Sequence, residues 1–308
     1  MNDTIRQHTR ETISMKTKDL SSAKPTTLTK PTKPIWFVTG CSTGFGRALA
    51  NLLLECGYRT VVTARNTDDI QDMAVNTNAL VLKLDVTDPA NVEVAIQQAI
   101  QTFGQIDVLV NNAGIGYFAA VEESETDEVR KMFDINFFGV SSMINAVLPS
   151  MRARRNGVIV NFSSIGGLCS FPSVGFYSAT KFALEGMSEA LRQEVAPLGI
   201  KVIVVEPSGF RTDWAGRSAN ESKHQIDDYA ETAGARRKQL REVSGKQRGD
   251  PHRAAQAIIE VVESANPPNH LLLGNDAFET ALAKLDTLKK EFSLWENVSR
   301  GADFPIDQ

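Results

Sequence analysis

From Ile35 onward, short β-branched and apolar runs alternate with longer segments whose apolar residues recur at helical spacing. The runs IWFVT, YRTVVTA, ALVLKLD, IDVLVNN, GVIVNFS, IKVIVVE and HLLLG read as strands. Helices are expected to begin near Gly44, Thr67, Pro89, Thr126, Val174 and His252. Strands that are apolar throughout, rather than at every second residue, belong to a sheet covered on both faces, and strand–helix alternation makes that sheet parallel. The expected fold class is α/β, a doubly wound parallel sheet of about seven strands with helices on both faces. Its site lies above the C-terminal strand edge, where the connections diverge.

The flanks read differently. Residues 1–33 scatter Lys and Arg among Thr, Ser and Asp without a continuous apolar run, and are expected to be a flexible tail ending at Pro31 to Pro34. Residues 34–275 are expected to form one domain that includes a substrate cover at 213–249, a stretch rich in Ser, Gln, Lys and Gly with room for one or two short helices. After it, Phe278, Leu282, Leu285 and Leu288 alternate with charges, as in an amphipathic helix. Residues 276–308 are therefore expected to pack on the domain as a helix and tail, with a partner subunit as the other surface that could take that stripe.

No apolar run approaches the roughly 20 residues of a membrane span, so no membrane association is expected. A formal charge of −4 over 308 residues gives no footprint for nucleic acid. Three cysteines without CxxC spacing make the cytoplasm the default location.

The first strand runs into Thr39-Gly40-Cys41-Ser42-Thr43-Gly44-Phe45-Gly46, followed by a helical pattern. Glycines allow a tight turn and close backbone approach, and the free N–H groups at a helix start attract a pyrophosphate. The spacing is TGxxxGxG, without the Lys-Ser/Thr end of a nucleoside-triphosphate loop, so kinase and ATPase chemistry are disfavoured. The second strand ends in Ala64-Arg65-Asn66. An acidic residue there would accept from a ribose 2′-hydroxyl, whereas Arg65 suits a 2′-phosphate, so NADP(H) is expected over NAD(H). Asp85 and Val86 after the third strand are candidates for the adenine edge. Asn112, Ala113 and Gly114 after the fourth are candidates for close cofactor approach.

Tyr177 and Lys181 stand four apart, on one side of a helix. A tyrosine exchanges protons poorly at neutral pH unless an ammonium stabilises its phenolate, and Lys181 is placed to do so. Ser163 and Ser164 end the fifth strand, where a hydroxyl can bind a substrate oxygen as its charge changes; the residues alone do not say which points inward. Asn136 is an amide within the apolar segment Asp134-Ile135-Asn136-Phe137-Phe138, placed to position a water or the helix backbone, or to bond locally. Met143, Phe171, Phe176, Phe210 and Trp214 offer apolar surface, with Trp214 the preferred substrate contact.

TGCSTGFG, NNAG, NFSS, YSATK and VVEPSGFRT together resemble the short-chain dehydrogenase/reductase family over about Ile35 to Gly274. The resemblance implies a single Rossmann-like domain and a metal-free hydride transfer between NAD(P)(H) and an alcohol or carbonyl compound. It implies Ser164 as the serine that polarises the substrate, Tyr177 as acid/base, Lys181 as its tuning partner, and Asn136 as the holder of a relay water. It places Pro207, Gly209, Phe210 and Thr212 beside the nicotinamide, with Ser208 standing where a glycine is usual. It also implies a homodimer or homotetramer built through the helices that carry Asn136 and Tyr177. Carbonyl reduction is the expected direction. The alternatives are a noncatalytic dinucleotide sensor and an epimerase or dehydratase that uses bound nicotinamide. A hydrolase is disfavoured, because no GxSxG elbow occurs and no histidine lies between His8 and His224.

Overall fold

The computed structural model of the protein describes residues 33–216 and 218–304. The expected N-terminal tail lies outside the described residues except for Lys33. In chain order the elements are β1 (Trp36–Val38), α1 (Gly44–Glu55), β2 (Thr60–Ala64), β3 (Ala79–Lys83), α2 (Pro89–Phe103), β4 (Val108–Asn111) and β5 (Gly116–Phe118). They continue with α3 (Thr126–Phe133), α4 (Gly139–Arg154), β6 (Gly157–Phe162), α5 (Gly175–Val195), β7 (Ile200–Pro207) and β8 (Ala219–Glu221). The last are α6 (Ala235–Glu242), α7 (Pro251–Glu263), β9 (His270–Leu273), α8 (Asn275–Leu294) and α9 (Glu296–Arg300).

The seven expected strands form one parallel sheet in the order β3-β2-β1-β4-β6-β7-β9. Successive residues alternate between two cores, as the two-residue period of a strand requires. Trp36, Val38, Val62, Val110, Val160 and Val205 face α1 and α7, meeting Leu49, Leu53, Ala255 and Ile258. Phe37, Val61, Leu109, Ile159 and Val202 face α2, α4 and α5, meeting Ile96, Met143, Val147 and Leu184. Both faces are buried, which is why these strands read as unbroken apolar runs. The chain proceeds from β1 outward to β3, then returns to β4 on the other side of β1. The crevice at that reversal is where a doubly wound sheet binds its ligands.

Four local departures matter. The helix expected near Thr67 is a 3₁₀ segment, Thr67–Val75, started by Asn66, whose side chain accepts from Asp68 N–H at 3.3 Å. Its buried anchors, Ile70 and Met73, are three residues apart, matching three residues per turn. A second sheet, absent from the sequence reading, pairs β5 with β8 in parallel and ties the 213–249 segment to the loop after β4. A π turn, Asp134–Phe138, joins α3 to α4. Finally, α8 docks through Ala277 and Ala281, not through the expected stripe; Phe278, Leu282 and Leu285 are exposed. Small alanines let the helix come close to the domain, with Thr280 carbonyl 3.9 Å from Cys169 Sγ.

Candidate active site

The C-terminal strand ends open onto one cavity of about 1190 Å³. Beneath it, Gly40 holds φ at +72° and Gly44 at +60°, a region that favours glycine. A Cβ on Gly46 would lie 2.3 Å from the Gly40 carbonyl oxygen and 2.4 Å from Asn112 Nδ2. Asn112 braces this turn by donating from Nδ2 to the carbonyls of Thr39 (2.8 Å) and Gly40 (3.0 Å). The N–H groups of Asn112 and Ala113 both donate to Thr39 Oγ1 at 3.0 Å. The first turn of α1 has neither a side-chain cap nor an acidic residue. Its N–H groups and the positive end of its dipole are left for an anion, so the β1–α1 turn fits the pyrophosphate of a dinucleotide.

Ser42, Thr43, Phe45, Arg65, Asp85, Val86, Ala113 and Gly114 also line the cavity. Arg65 is exposed at the end of β2. Burial alone would raise the Asp85 pKa, but hydrogen bonds from the Thr87 hydroxyl (2.7 Å) and N–H (3.0 Å), with help from the charges of Arg65 and Lys83, hold it below the ordinary range. From the opposite side come Pro207, Gly209, Phe210 and Thr212. Phe210 packs 4.9 Å from Phe45, ring centre to ring centre, and a Cβ on Gly44 would meet Thr212 Cβ at 3.4 Å. Ser208 causes no strain, since its φ is not positive. Its N–H donates to Leu273 O at 3.0 Å, and its hydroxyl fills the space that a Cβ on Gly274 would need, 2.5 Å away.

Ser164, Tyr177 and Lys181 converge on the wall of this cavity. The extended end of β6 turns successive side chains opposite ways. Ser164 faces Tyr177, close enough to act on its phenol, and its Oγ accepts from Gly166 N–H at 3.0 Å. Ser163 faces away toward Glu185: a Cβ on Gly167 would lie 2.4 Å from Ser163 Oγ and 2.9 Å from Glu185 Oε1. Burial pushes the Tyr177 pKa up to about 12, against a smaller downward pull from Ser164. Burial brings Lys181 down to about 8, with the nearby Glu185 charge opposing it. Lys181 Nζ donates to Phe162 O at 2.8 Å and lies 5.7 Å from the Tyr177 ring centre. Burial thus sets the direction of the Tyr177 shift, and the pull that opposes it comes from Ser164 rather than from the Lys181 ammonium.

Asn136, fully buried in the π turn, is committed through its side chain. Nδ2 donates to Ile115 O (3.0 Å) and Thr180 Oγ1 (3.2 Å), and Oδ1 accepts from Ile115 N–H (2.9 Å). It joins the β4–β5 loop to α5, one residue from Lys181.

Over residues 34–223 the sequence matches the family described as short chain dehydrogenase. The chain belongs to that family. This dehydrogenase is accordingly an NAD(P)-dependent oxidoreductase, and its TGxxxGxG turn and YxxxK pair line the same cavity. It is similar to the oxidoreductase BOA17 of Botryotinia fuckeliana, 37% identical over 269 residues that span 86% of this chain and 97% of the relative. It is also similar to a 3-ketodihydrosphingosine reductase of Bacteroides thetaiotaomicron, 40% identical over 78% of this chain and 87% of that one. Among solved structures, a short-chain dehydrogenase from Streptomyces avermitilis superposes with a TM-score of 0.83 at 41% identity, covering 89% of this chain and all of the other.

The dehydrogenase's 213–249 segment roofs the cavity. Trp214 lies 4.9 Å from the Tyr177 ring and 5.4 Å from Phe118, with Phe171, Val174 and Leu240 beside them. Of the other expected apolar contacts, Phe171 and Phe210 line the cavity. Met143 does not; it is fully buried under the sheet, where α4 meets β-strand side chains. The roof is fastened by residues that the sequence reading missed. Buried Glu123 pairs with Arg237 at 3.1 Å and accepts from the N–H groups of Ala120 and Ile226 at 2.9 and 3.0 Å. These bonds hold its carboxyl below the ordinary range although burial acts to raise it.

Behind Lys181 lies a second unanticipated group. Glu185, one turn further along α5, meets Glu206 of β7 and His270 of β9. His270 Nδ1 is 2.6 Å from Glu206 Oε1 and 3.9 Å from Glu185 Oε2. Burial lifts Glu206 to about 8, opposed by Arg192; it lifts Glu185 to about 7, opposed by Ser163 and His270 and reinforced by Glu206. The Tyr177, Lys181, Glu185 spacing of i, i+4, i+8 was a visible signal for one member. The pairing of Glu123 with Arg237, 114 positions apart, had no local signal.

Among the described residues, no helix is long and apolar enough to cross a membrane.

Proposed function

We propose that this dehydrogenase reduces a ketone or aldehyde with NADPH. The supporting observation is that Ser164, Tyr177 and Lys181 meet in the same cavity as the β1–α1 anion turn. When bound, the nicotinamide supplies the hydride. Ser164 donates a hydrogen bond to the carbonyl oxygen and steadies the charge that grows on it. Tyr177, whose burial keeps its proton on, is the general acid that completes the alcohol. Lys181 holds positive potential beside the phenol and binds the ribose. Asn136 fixes the Ile115 loop and the start of the relay to water. Gly40, Ser42, Thr43, Gly44, Phe45, Gly46, Asn112, Ala113 and Gly114 form the phosphate and ribose cradle. Asp85 and Val86 take the adenine edge; Pro207, Gly209, Phe210 and Thr212 take the nicotinamide side.

Arg65 supports NADP(H) over NAD(H), since a guanidinium on that rim can fork onto a 2′-phosphate and carries no repulsion for it. A relative named as a reductase of a keto compound supports the reductive direction. On this reading Trp214 bounds the substrate pocket, residues 213–249 are its cover, and 34–275 act as one catalytic domain. Phe138 and Phe182, exposed on the Asn136 and Tyr177 helices, suit a homodimer or homotetramer. The cytoplasm is the proposed compartment.

Product-resolved turnover of an aldehyde and ketone panel with NADPH and NADH tests the reading. Matched alcohol formation and NADPH oxidation are expected, and Arg65→Ala should lower kcat/KM for NADPH by about 10–100-fold, the value of a charge-assisted bond, while barely moving NADH. Saturable cofactor binding without turnover across the panel would refute the reductase reading.

A further inference from the structure

Four basic residues sit on α6: Arg236, Arg237, Lys238 and Arg241. Two of its arginines are spent on the fold. Arg237 neutralises buried Glu123. Arg241 donates to the carbonyls of Ala215 (3.1 Å), Gly216 (2.6 Å) and Ala219 (3.0 Å), bonds Glu221 at 3.2 Å and covers the Phe118 ring. Lys238 points to solvent toward Glu242.

Arg236 is different. It lines the cavity shared with Ser164 and Tyr177, and its guanidinium lies 5.6 Å over the ring of Phe171. Its side-chain partner is Gln239 Oε1 at 2.6 Å, a neutral group on its own helix, and its enclosed Nε–H has none. Among the described residues no carboxylate lies within ion-pair distance of it. Asp276, which lines the same cavity, pairs with Arg248 at 3.7 Å. An aromatic face steadies a guanidinium without using its in-plane N–H groups, so Nη2 and the second N–H of Nη1 remain for a ligand. Between this cation and Tyr177 lies the apolar wall of Phe171, Trp214 and Leu240.

We propose that Arg236 is the anchor for a carboxylate on the substrate, and that the substrate is an oxo acid with an apolar body between carbonyl and carboxylate. A carboxylate matches the fork bidentately, and the neighbouring apolar surface weakens solvent screening of the pair. The inference rests on the carbonyl-reductase reading for its catalytic arm, so a binding arm stands beside it.

The test compares matched ω-oxo acids and their methyl esters, with NADPH, on the wild type, Arg236→Gln and Arg236→Lys. The wild type should favour the acid. Arg236→Gln should lower the acid-to-ester ratio of kcat/KM by about 10–100-fold, mainly through KM, and Arg236→Lys should fall between. An unchanged ratio overturns the proposal. In the binding arm, calorimetry follows a phenylalkanoate and an alkyl phosphate of equal length. Saturable, salt-sensitive phenylalkanoate binding that is lost in Arg236→Gln supports the anchor even if neither carbonyl compound turns over, in which case the reductase reading alone fails. Equal binding by both proteins, or binding of the phosphate only, overturns it.

Discussion

Replacing Glu206 by Gln should flatten the dependence of stability on pH. Glu206 is fully buried, His270 stands 2.6 Å away, and Glu185 and Arg192 carry charge close by. Its ordinary pKa of 4.5 rises to about 8 in the folded protein. Between those values the folded chain keeps a proton that the unfolded chain has lost. Unfolding therefore releases a proton, and stability falls as pH rises through that window. One proton over the two pH units from 5.5 to 7.5, at about 1.36 kcal/mol per unit, is about 2.7 kcal/mol. For a domain of this size that corresponds to a fall in Tm of about 5–10 °C. Glu185, raised to about 7, adds its own release over the lower part of that window, a smaller one in the variant, where the push from the Glu206 charge is gone. Thermal unfolding of wild type and Glu206→Gln in parallel buffers should show the wild type losing this extra amount and the variant not. A constant offset from exchanging the protonated carboxyl for an amide leaves the slopes untouched. Parallel curves for the two proteins would refute the burial of a protonated carboxyl at this position.

Gly46→Ala forces a methyl into the contact between Gly40 and Asn112; cofactor affinity should drop at least about ten-fold by fluorescence titration, with a stability loss of about 1–3 kcal/mol. Arg237→Ala strands Glu123 in the interior at a cost of about 3–5 kcal/mol, and hydrogen exchange should report lost protection in residues 219–242 while cofactor still binds. Unaltered exchange there would remove Arg237 from its role in fastening the roof.

The large sheet was legible because each strand is buried on two faces, so composition alone marks it. The glycine turn was legible because Gly40 and Gly44 meet backbone constraints and Gly46 a steric one that other residues cannot. Tyr177 and Lys181 were legible through helical spacing. The short β5–β8 sheet was not: three residues per strand leave no periodicity to read. The π turn around Asn136 was hidden because α3 and α4 together look like one helix. The choice between Ser163 and Ser164 depended on which face of β6 each occupies, a fact of register that the pair of identical letters cannot carry. The stripe on α8 did not give its docking face, because hydrophobic spacing marks an amphipathic helix without saying that two alanines, Ala277 and Ala281, can be what meets the domain.

The bond from Lys181 to the Phe162 carbonyl has a consequence for how such an enzyme diversifies. It ties the helix of Tyr177 directly to the strand that delivers Ser164, and the buried chain Asn111–Asn161–Ser188 repeats that tie deeper in the fold. The thirteen-residue interval between Ser164 and Tyr177 is thus not what holds them together. The stretch from Leu168 to Ser173 is relieved of that duty, yet it contributes Phe171 to the wall that a substrate would touch. Insertions and substitutions there can reshape the cavity wall while Ser164 and Tyr177 stay in place, so that, on the proposed reading, new specificities are reachable without rebuilding the chemistry.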